Sequence, residues 1–98
     1  MTWQWLETTR DLQQRSFGVD YDKLTGDALA DYITWNVTAL TAELGEFLNE
    51  VGWKTWAQPR GWVHRDRAVG ELVDVAHFLA NLVAALGVTD EEWEQRYT

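Results

Sequence analysis

The sequence predicts an all-α fold, which we expect to be a four-helix, bundle-type domain that forms oligomers. Apolar residues recur at three- and four-residue steps along its long segments, and no segment alternates apolar and polar residues as a half-buried strand would. The seven glycines and the single proline fall mostly between the periodic segments, where helices end. A chain of 98 residues supports a single domain, residues 1–98.

The first predicted helix covers about residues 2–16. It places Trp5 and Leu12, and with them Trp3, on one side, and Gly18 follows it as a typical helix end. Residues 19–26 form a polar connection to the next helix.

The second predicted helix begins at Asp27, a favourable N-cap residue, and runs to about Val51, where Gly52 ends it. Glycine is about 1 kcal/mol less favourable than alanine inside a helix, so Gly45 predicts the close approach of another helix. Apolar residues at helical spacing predict one buried stripe along this helix: Leu40, Leu44, Phe47, Leu48 and Val51.

The third and fourth predicted helices follow a loop over residues 53–65, which lacks periodicity. Asp66 is the expected cap of the third helix, which runs to about Leu86 and is apolar over most of its circumference, as a central helix of a bundle would be. Thr89 begins a capping-box pattern that opens the last helix.

Composition excludes several functional classes. A net charge of -8 argues against nucleic acid as a partner, and the absence of cysteine excludes disulfides and thiolate-bound metals. No uninterrupted apolar run approaches the roughly 20 residues of a membrane span, and the first residues lack the pattern of a signal peptide. We therefore expect a cytoplasmic protein without a membrane partner. Seven tryptophans in so short a chain favour assembly into an oligomer.

Two pairs of acidic residues lie inside the long helices. Glu43 and Glu46 are three residues apart on the second helix, and Glu71 and Asp74 are three apart on the third, so each pair shares a helix face. Like charges held beside apolar sequence need a cation or a proton. Four carboxylates suit a hard divalent ion, so the pattern predicts a Mg²⁺ site that Mn²⁺ can also fill, against the alternative of ordinary solvated acids.

Basic and amide side chains provide candidate substrate contacts. Half of the lysines and arginines lie between the two acidic pairs, where they are suited to a polyphosphate or simply balance the acidic helices. Lys54 is the strongest candidate among them because tryptophans flank it. Asn36 and Asn81 each lie seven residues from an acid on the same helix face, so they and Gln13 are candidates to bind a nucleobase or sugar.

The acidic pattern resembles a known family. Glu43-x-x-Glu46, followed after 24 residues by Glu71-x-x-Asp74, is similar to the signature of the all-α nucleoside triphosphate pyrophosphohydrolases, which include MazG-like enzymes and dimeric dUTPases. Two stretches resemble the dimeric dUTPases in particular: residues 42–50 with the following Trp-Lys-Thr-Trp, and residues 71–78, Glu-Leu-Val-Asp-Val-Ala-His-Phe. The resemblance covers roughly residues 27–86.

The resemblance implies Mg²⁺-dependent hydrolysis of a (deoxy)nucleoside triphosphate, dUTP or another dNTP, to the monophosphate and pyrophosphate. It implies that Glu43, Glu46, Glu71 and Asp74 bind the metal, that Glu46 also accepts the proton of the attacking water, and that Lys54 contacts phosphate. Relatives continue beyond the last helix with a basic segment that binds phosphate, and this sequence stops at residue 98, where that segment would begin. We therefore expect either a shortened domain or cations from another element.

Two alternatives remain open from the sequence. One is a non-catalytic helical module whose tryptophans bind a partner protein or a second copy. The other is a di-iron bundle, suggested by the Asp74-x-x-His77 spacing. Such bundles use two Glu-x-x-His motifs, and this sequence has no second copy.

Overall fold

The structure, a computed structural model, describes residues 4–98 and confirms the all-α fold, with four α-helices and no strand in that range. The helices are α1 (Trp5–Phe17), α2 (Gly26–Leu48), α3 (Arg65–Ala85) and α4 (Asp90–Tyr97), and a single 3₁₀ turn (Tyr21–Lys23) lies between α1 and α2. The predicted position of Trp3 lies outside the described residues.

The N-terminus of α1 is capped from the far end of the chain. The side chain of Gln4, which precedes the helix, makes no capping hydrogen bond. Instead the carboxylate of Asp90, the first residue of α4, accepts hydrogen bonds from the backbone amides of Leu6 (2.8 Å) and Glu7 (3.1 Å). The first amides of a helix have no hydrogen-bond partner within the helix. Asp90 therefore supplies acceptors for the amides of α1 and also holds α4 against α1.

The boundaries of α2 and α3 differ from the predicted ones by a few residues. Thr25, not Asp27, precedes α2, and the helix ends at Leu48 rather than near residue 51. His64, not Asp66, caps α3, and its Nδ1 accepts a hydrogen bond from the amide of Arg67 (3.4 Å). Asp27 and Asp66 both lie in the first turn of their helices, so the presence of an aspartate located each start only to within two residues. At the other end of α2 the apolar periodicity continues to Val51, past the true end of the helix.

The α2–α3 loop is closed by backbone contacts at its base. The amide of His64 donates to the carbonyl of Glu50 (2.8 Å), which brings the two ends of the loop together. Gly52 is buried with φ of 58°, and a Cβ atom there would lie 2.9 Å from the carbonyl oxygen of Trp62. Only glycine fits this position without strain.

Helices α2 and α3 pack as an antiparallel pair, with α1 on the other side of α3. Asn36 contacts Asn81, and Glu43 lies beside Asp74. Residue numbers therefore rise along α2 as those of the contacting residues fall along α3, which is the pattern of an antiparallel pair. The predicted central position of α3 is therefore confirmed.

A small core joins α1, α3 and α4, and is formed by Leu6, Ala80 and Val83 with Trp5, Val88 and Trp93 packed against it. Thr89 caps α4 as predicted, since its Oγ1 accepts from the amide of Glu92 (3.1 Å).

Part of the predicted buried stripe on α2 is exposed. Leu44 and Leu48 are 42% and 45% exposed, and a Cβ atom at Gly45 would meet nothing within 4 Å. The predictions that the whole stripe is buried and that a helix approaches Gly45 are therefore wrong for a single chain. The sequence signals an apolar face but does not say which molecule covers it.

Large apolar residues of α2 and α3 are exposed on one side of the helix pair, and we call this set of residues the open apolar face. On each helix they lie about a quarter turn from the α2–α3 contact, and the antiparallel arrangement turns both stripes to the same side, away from α1. The open apolar face consists of Val37, Leu44 and Leu48 on α2 and Leu72 and Leu79 on α3.

Among the helices that the structure describes, α3 alone is long and apolar enough, by length and composition, to cross a bilayer, although no continuous apolar run of that length is present. In this fold it packs against both α1 and α2 and contributes acidic side chains to the site described next.

Candidate active site

Three carboxylates meet where α2 and α3 face each other. Glu71 and Asp74 are one turn apart on α3, and Glu43 faces them from α2; one oxygen of each lies within 4.8 Å of the others. Glu43 and Glu71 are half-buried, and Asp74 is exposed. The structure thus brings together three of the four acids that the sequence singled out.

The electrostatics of this cluster favour the uptake of a proton or a cation. Hydrogen bonding between the carboxyl groups of Glu43 and Glu71, partial burial and the negative charges of Glu71 and Asp74 raise the pKa of Glu43 to about 7. The Oε2 atom of Glu71 is buried and has no hydrogen-bond partner. A buried acceptor without a donor, beside two further carboxylates, fits a hard divalent cation such as Mg²⁺ or Mn²⁺.

Glu46 does not join the cluster. It lies one turn beyond Glu43 on α2, is exposed, and is not among the three acids whose oxygens converge. Its predicted roles as metal ligand and proton acceptor therefore stay predictions.

A cavity of about 330 Å³ extends from the carboxylates toward α1. This volume lies in the range of small-molecule sites, about 300–1,000 Å³. The cavity combines the acids Glu43 and Asp74 with amide and aromatic side chains; its other lining residues are Leu12, Gln13, Phe17, His77, Phe78 and Asn81. Two of the predicted substrate-binding residues, Gln13 and Asn81, therefore lie in the same cavity as two of the predicted metal ligands.

The three candidate amide residues differ in their surroundings. Gln13 is half-buried, and its Oε1 accepts a hydrogen bond from the hydroxyl of Tyr32 (3.4 Å). Asn36 is only 1% exposed and does not line the cavity; its Nδ2 donates to the carbonyl of Tyr32 (2.8 Å). Asn81 is 4% exposed, and its Nδ2 donates to Oδ1 of Asn36 (2.9 Å). Asn36 therefore acts behind Asn81 rather than at the cavity surface.

The basic residues between the two acidic pairs do not line this cavity. Lys54 is half-buried, and its Nζ lies over the ring of Trp53, 5.6 Å from the centroid. Arg60, Arg65 and Arg67 are exposed, and Arg65 pairs with the neighbouring Asp66 (3.4 Å). Phosphate binding by Lys54 stays a prediction.

Four cavity residues were not predicted from the sequence: Leu12, Phe17, His77 and Phe78. Leu12 and Phe17 belong to α1, whose packing on α3 is a tertiary contact that periodicity does not reveal. The side chain of His77 is exposed and forms a wall shared with a second, more apolar cleft between α1 and α3. The spacing Asp74-x-x-His77 was the available signal for its position beside the cluster.

Comparison with known proteins gives one result. A family model described as dUTPase matches residues 7–98, nearly the whole chain and both helices that bear the carboxylates. No curated protein and no solved structure matches.

Proposed function

This chain belongs to the all-α dUTPase family, and on that basis we propose that it hydrolyses a (deoxy)nucleoside triphosphate to the monophosphate and pyrophosphate. The preferred substrate is dUTP, and another dNTP such as dCTP is second. The observation that carries the proposal is the convergence of Glu43, Glu71 and Asp74 at the end of a cavity large enough for a nucleoside. These are three of the four acids in the pattern that resembles the family.

Glu43, Glu71 and Asp74 are the residues that would hold Mg²⁺. When bound, Mg²⁺ supplies positive charge to the phosphates and lowers the pKa of a water ligand. Glu46 lies one turn along α2, on the exposed side of the cluster, where its carboxylate can accept the proton of the attacking water. Its exposure in the single chain leaves it free to turn toward substrate.

The cavity binds the nucleoside part of the substrate in this proposal. Gln13 and Asn81 supply polar contacts, and the rings of Phe17 and Phe78 supply apolar surface for a base. The triphosphate then extends past the carboxylates, where Lys54 or another basic element neutralises its charge. Residues 1–98 act as one domain in this proposal, and further cations come from outside the described helices.

We also propose that the active form is a homodimer or homotetramer in the cytoplasm. The open apolar face includes Leu44 and Leu72, each more than two-fifths exposed. Several large apolar residues exposed on one side of a small protein favour an interaction site there. A second copy covers it without blocking the cavity, because the face lies on the opposite side of the α2–α3 pair.

The test is pyrophosphate release by the purified protein with Mg²⁺, using dUTP, dCTP, dTTP, dATP, dGTP and the ribonucleotides. Glu71→Gln removes one carboxylate of the cluster with little change of shape. Glu94→Gln is the matched control, because Glu94 is an exposed acid on α4 that is remote from the cavity. We expect selective turnover in the wild type and the control, and its loss in Glu71→Gln.

A non-catalytic binding module is the alternative, and exposed tryptophans favour it. Trp35 is 64% exposed and Trp56 is 76% exposed. This alternative predicts no turnover with any nucleotide, no thermal stabilisation by Mg²⁺, and loss of partner binding when Trp56 is replaced by alanine. Turnover that depends on Glu71 would contradict it.

A further inference from the structure

The side-chain amide of Asn36 can adopt only one orientation. A backbone carbonyl oxygen accepts hydrogen bonds and never donates them, so the atom that faces the carbonyl of Tyr32 at 2.8 Å must be Nδ2. The Oδ1 atom of Asn36 is therefore turned toward Asn81. Because Asn36 is almost fully buried, no solvent competes for these bonds.

This orientation fixes the next side chain in turn. Oδ1 of Asn36 needs a donor, so Asn81 must present its Nδ2, which lies 2.9 Å away. The Oδ1 atom of Asn81 then points away from Asn36, and it is a buried acceptor without any partner among the described residues. Asn81 is 96% buried and lines the same cavity as Glu43 and Asp74. A buried acceptor left without a donor is uncommon in folded proteins.

We propose that the Tyr32–Asn36–Asn81 hydrogen-bond chain holds Oδ1 of Asn81 as a fixed acceptor for a ring N–H of the nucleobase, and so selects an imide base over a base with an unprotonated ring nitrogen. Asn81 is the contact residue, and Asn36 is a positioning residue that acts through it. This inference rests on the proposed function, because that function supplies the nucleotide.

The pyrimidines differ at the atom that such an acceptor distinguishes. Uracil and thymine have an N–H at ring position 3, whereas cytosine has a bare nitrogen with a lone pair there. A fixed oxygen attracts the first and repels the second. Gln13, the other amide of the cavity, is bonded to a tyrosine hydroxyl, which both donates and accepts, so its orientation is not fixed. Discrimination at this position therefore falls to Asn81.

The experiment measures binding of nucleosides by calorimetry, so that it does not depend on hydrolysis or on metal. The probes are deoxyuridine, deoxycytidine, thymidine and 3-methyldeoxyuridine, in which the ring N–H is replaced. For the wild type we expect 3-methyldeoxyuridine and deoxycytidine to bind about tenfold or more weakly than deoxyuridine. Equal binding of deoxyuridine and its 3-methyl derivative overturns the inference, as does the absence of binding by any of the four.

Asn36→Ala tests the positioning role. It frees the amide of Asn81 to turn over, so the ratio of the deoxycytidine to the deoxyuridine dissociation constant should fall toward one. The control is Thr41→Ala, which removes a similar bond, from Thr41 Oγ1 to the carbonyl of Val37 (2.8 Å), on the exposed side of α2. An unchanged ratio in a folded Asn36→Ala protein overturns the positioning role. If Asn36→Ala does not fold, the wild-type comparison with 3-methyldeoxyuridine still decides the inference.

The two proposals fail in different ways. A protein that hydrolyses dNTPs but binds 3-methyldeoxyuridine as well as deoxyuridine keeps the proposed function and loses this inference. A protein that discriminates the nucleosides as stated but hydrolyses no nucleotide keeps the inference and loses the proposed function.

Discussion

Metal binding to the carboxylate cluster should depend on pH through one residue, Glu43. Its neighbours Glu71 and Asp74 raise the pKa of Glu43 to about 7, so without metal about half of the molecules carry a proton on Glu43 at pH 7. A divalent cation must displace that proton. From pH 8 to pH 6 the ionised fraction of Glu43 falls from about nine-tenths to about one-tenth, so the dissociation constant for Mg²⁺ should rise about tenfold.

Calorimetric titration with Mg²⁺ in buffers of different ionisation enthalpy measures both the affinity and the protons released. We expect about one proton released per ion at pH 6 and almost none at pH 8. Glu43→Gln should bind Mg²⁺ more weakly but with no such dependence. His77→Asn should retain the dependence, which excludes the histidine in the cavity wall as its source. A wild-type affinity that is constant from pH 6 to pH 8, or a dependence that survives in Glu43→Gln, would refute the reasoning.

Three further predictions concern stability. Gly52→Ala should destabilise the fold by more than about 1 kcal/mol in urea denaturation, because Gly52 has a positive φ and lies close to the carbonyl of Trp62. Gly61 also has a positive φ but open space around it, so Gly61→Ala should cause a smaller loss of stability. Asp90→Ala removes the cap of α1 and should lower stability by about 1 kcal/mol, roughly 4–8 °C in Tm, with turnover unchanged; an unchanged Tm would contradict the capping role. Glu71→Gln should raise Tm by a few degrees at pH 8 without metal, because it removes a like charge from the cluster. With excess Mg²⁺ the wild type should instead have the higher Tm. A lower Tm of Glu71→Gln without metal would contradict repulsion among the carboxylates.

The pH dependence of stability without metal follows from the same cluster. A carboxyl group whose pKa is higher in the folded protein than the ordinary value of 4.5 stabilises the fold while it is protonated. That contribution is complete below about pH 4.5 and is lost as the pH rises through about 7. The wild type without metal should therefore lose Tm over this interval more steeply than Glu43→Gln, as thermal unfolding monitored by circular dichroism would measure.

The sequence predicts the helices well and their ends less well. Apolar patterning marks the first three helices, and the capping box at Thr89 correctly marks the start of the fourth because that signal is local. The start of α1 is different. Its cap is the carboxylate of Asp90, more than 80 residues away, and no local pattern indicates a contact that tertiary packing makes.

The apolar stripe on α2 shows a second limit of sequence patterns. Leu44 and Leu48 satisfy the spacing of buried residues, yet they are exposed in a single chain. Periodicity reports that a face avoids water and does not report whether the same chain or another molecule covers it. The seven tryptophans already favoured an oligomer, and the open apolar face gives that expectation a location.

The candidate site was predictable where residues share a helix. Seven-residue spacing correctly placed Asn36 with Glu43 and Asn81 with Asp74 on facing helices. Spacing could not separate Asn36, which is buried behind the cavity, from Asn81, which lines it. That distinction depends on how deeply each residue lies between the helices.

The central claim is metal-dependent cleavage between the α and β phosphates of a deoxynucleoside triphosphate. Phosphorus NMR of the products formed from dUTP with Mg²⁺ tests it most directly, with Asp74→Asn as the inactive comparison. We predict dUMP and pyrophosphate from the wild type, and unchanged dUTP from Asp74→Asn or from the wild type with the metal chelated. Release of dUDP and inorganic phosphate, or equal turnover without metal, would contradict the account.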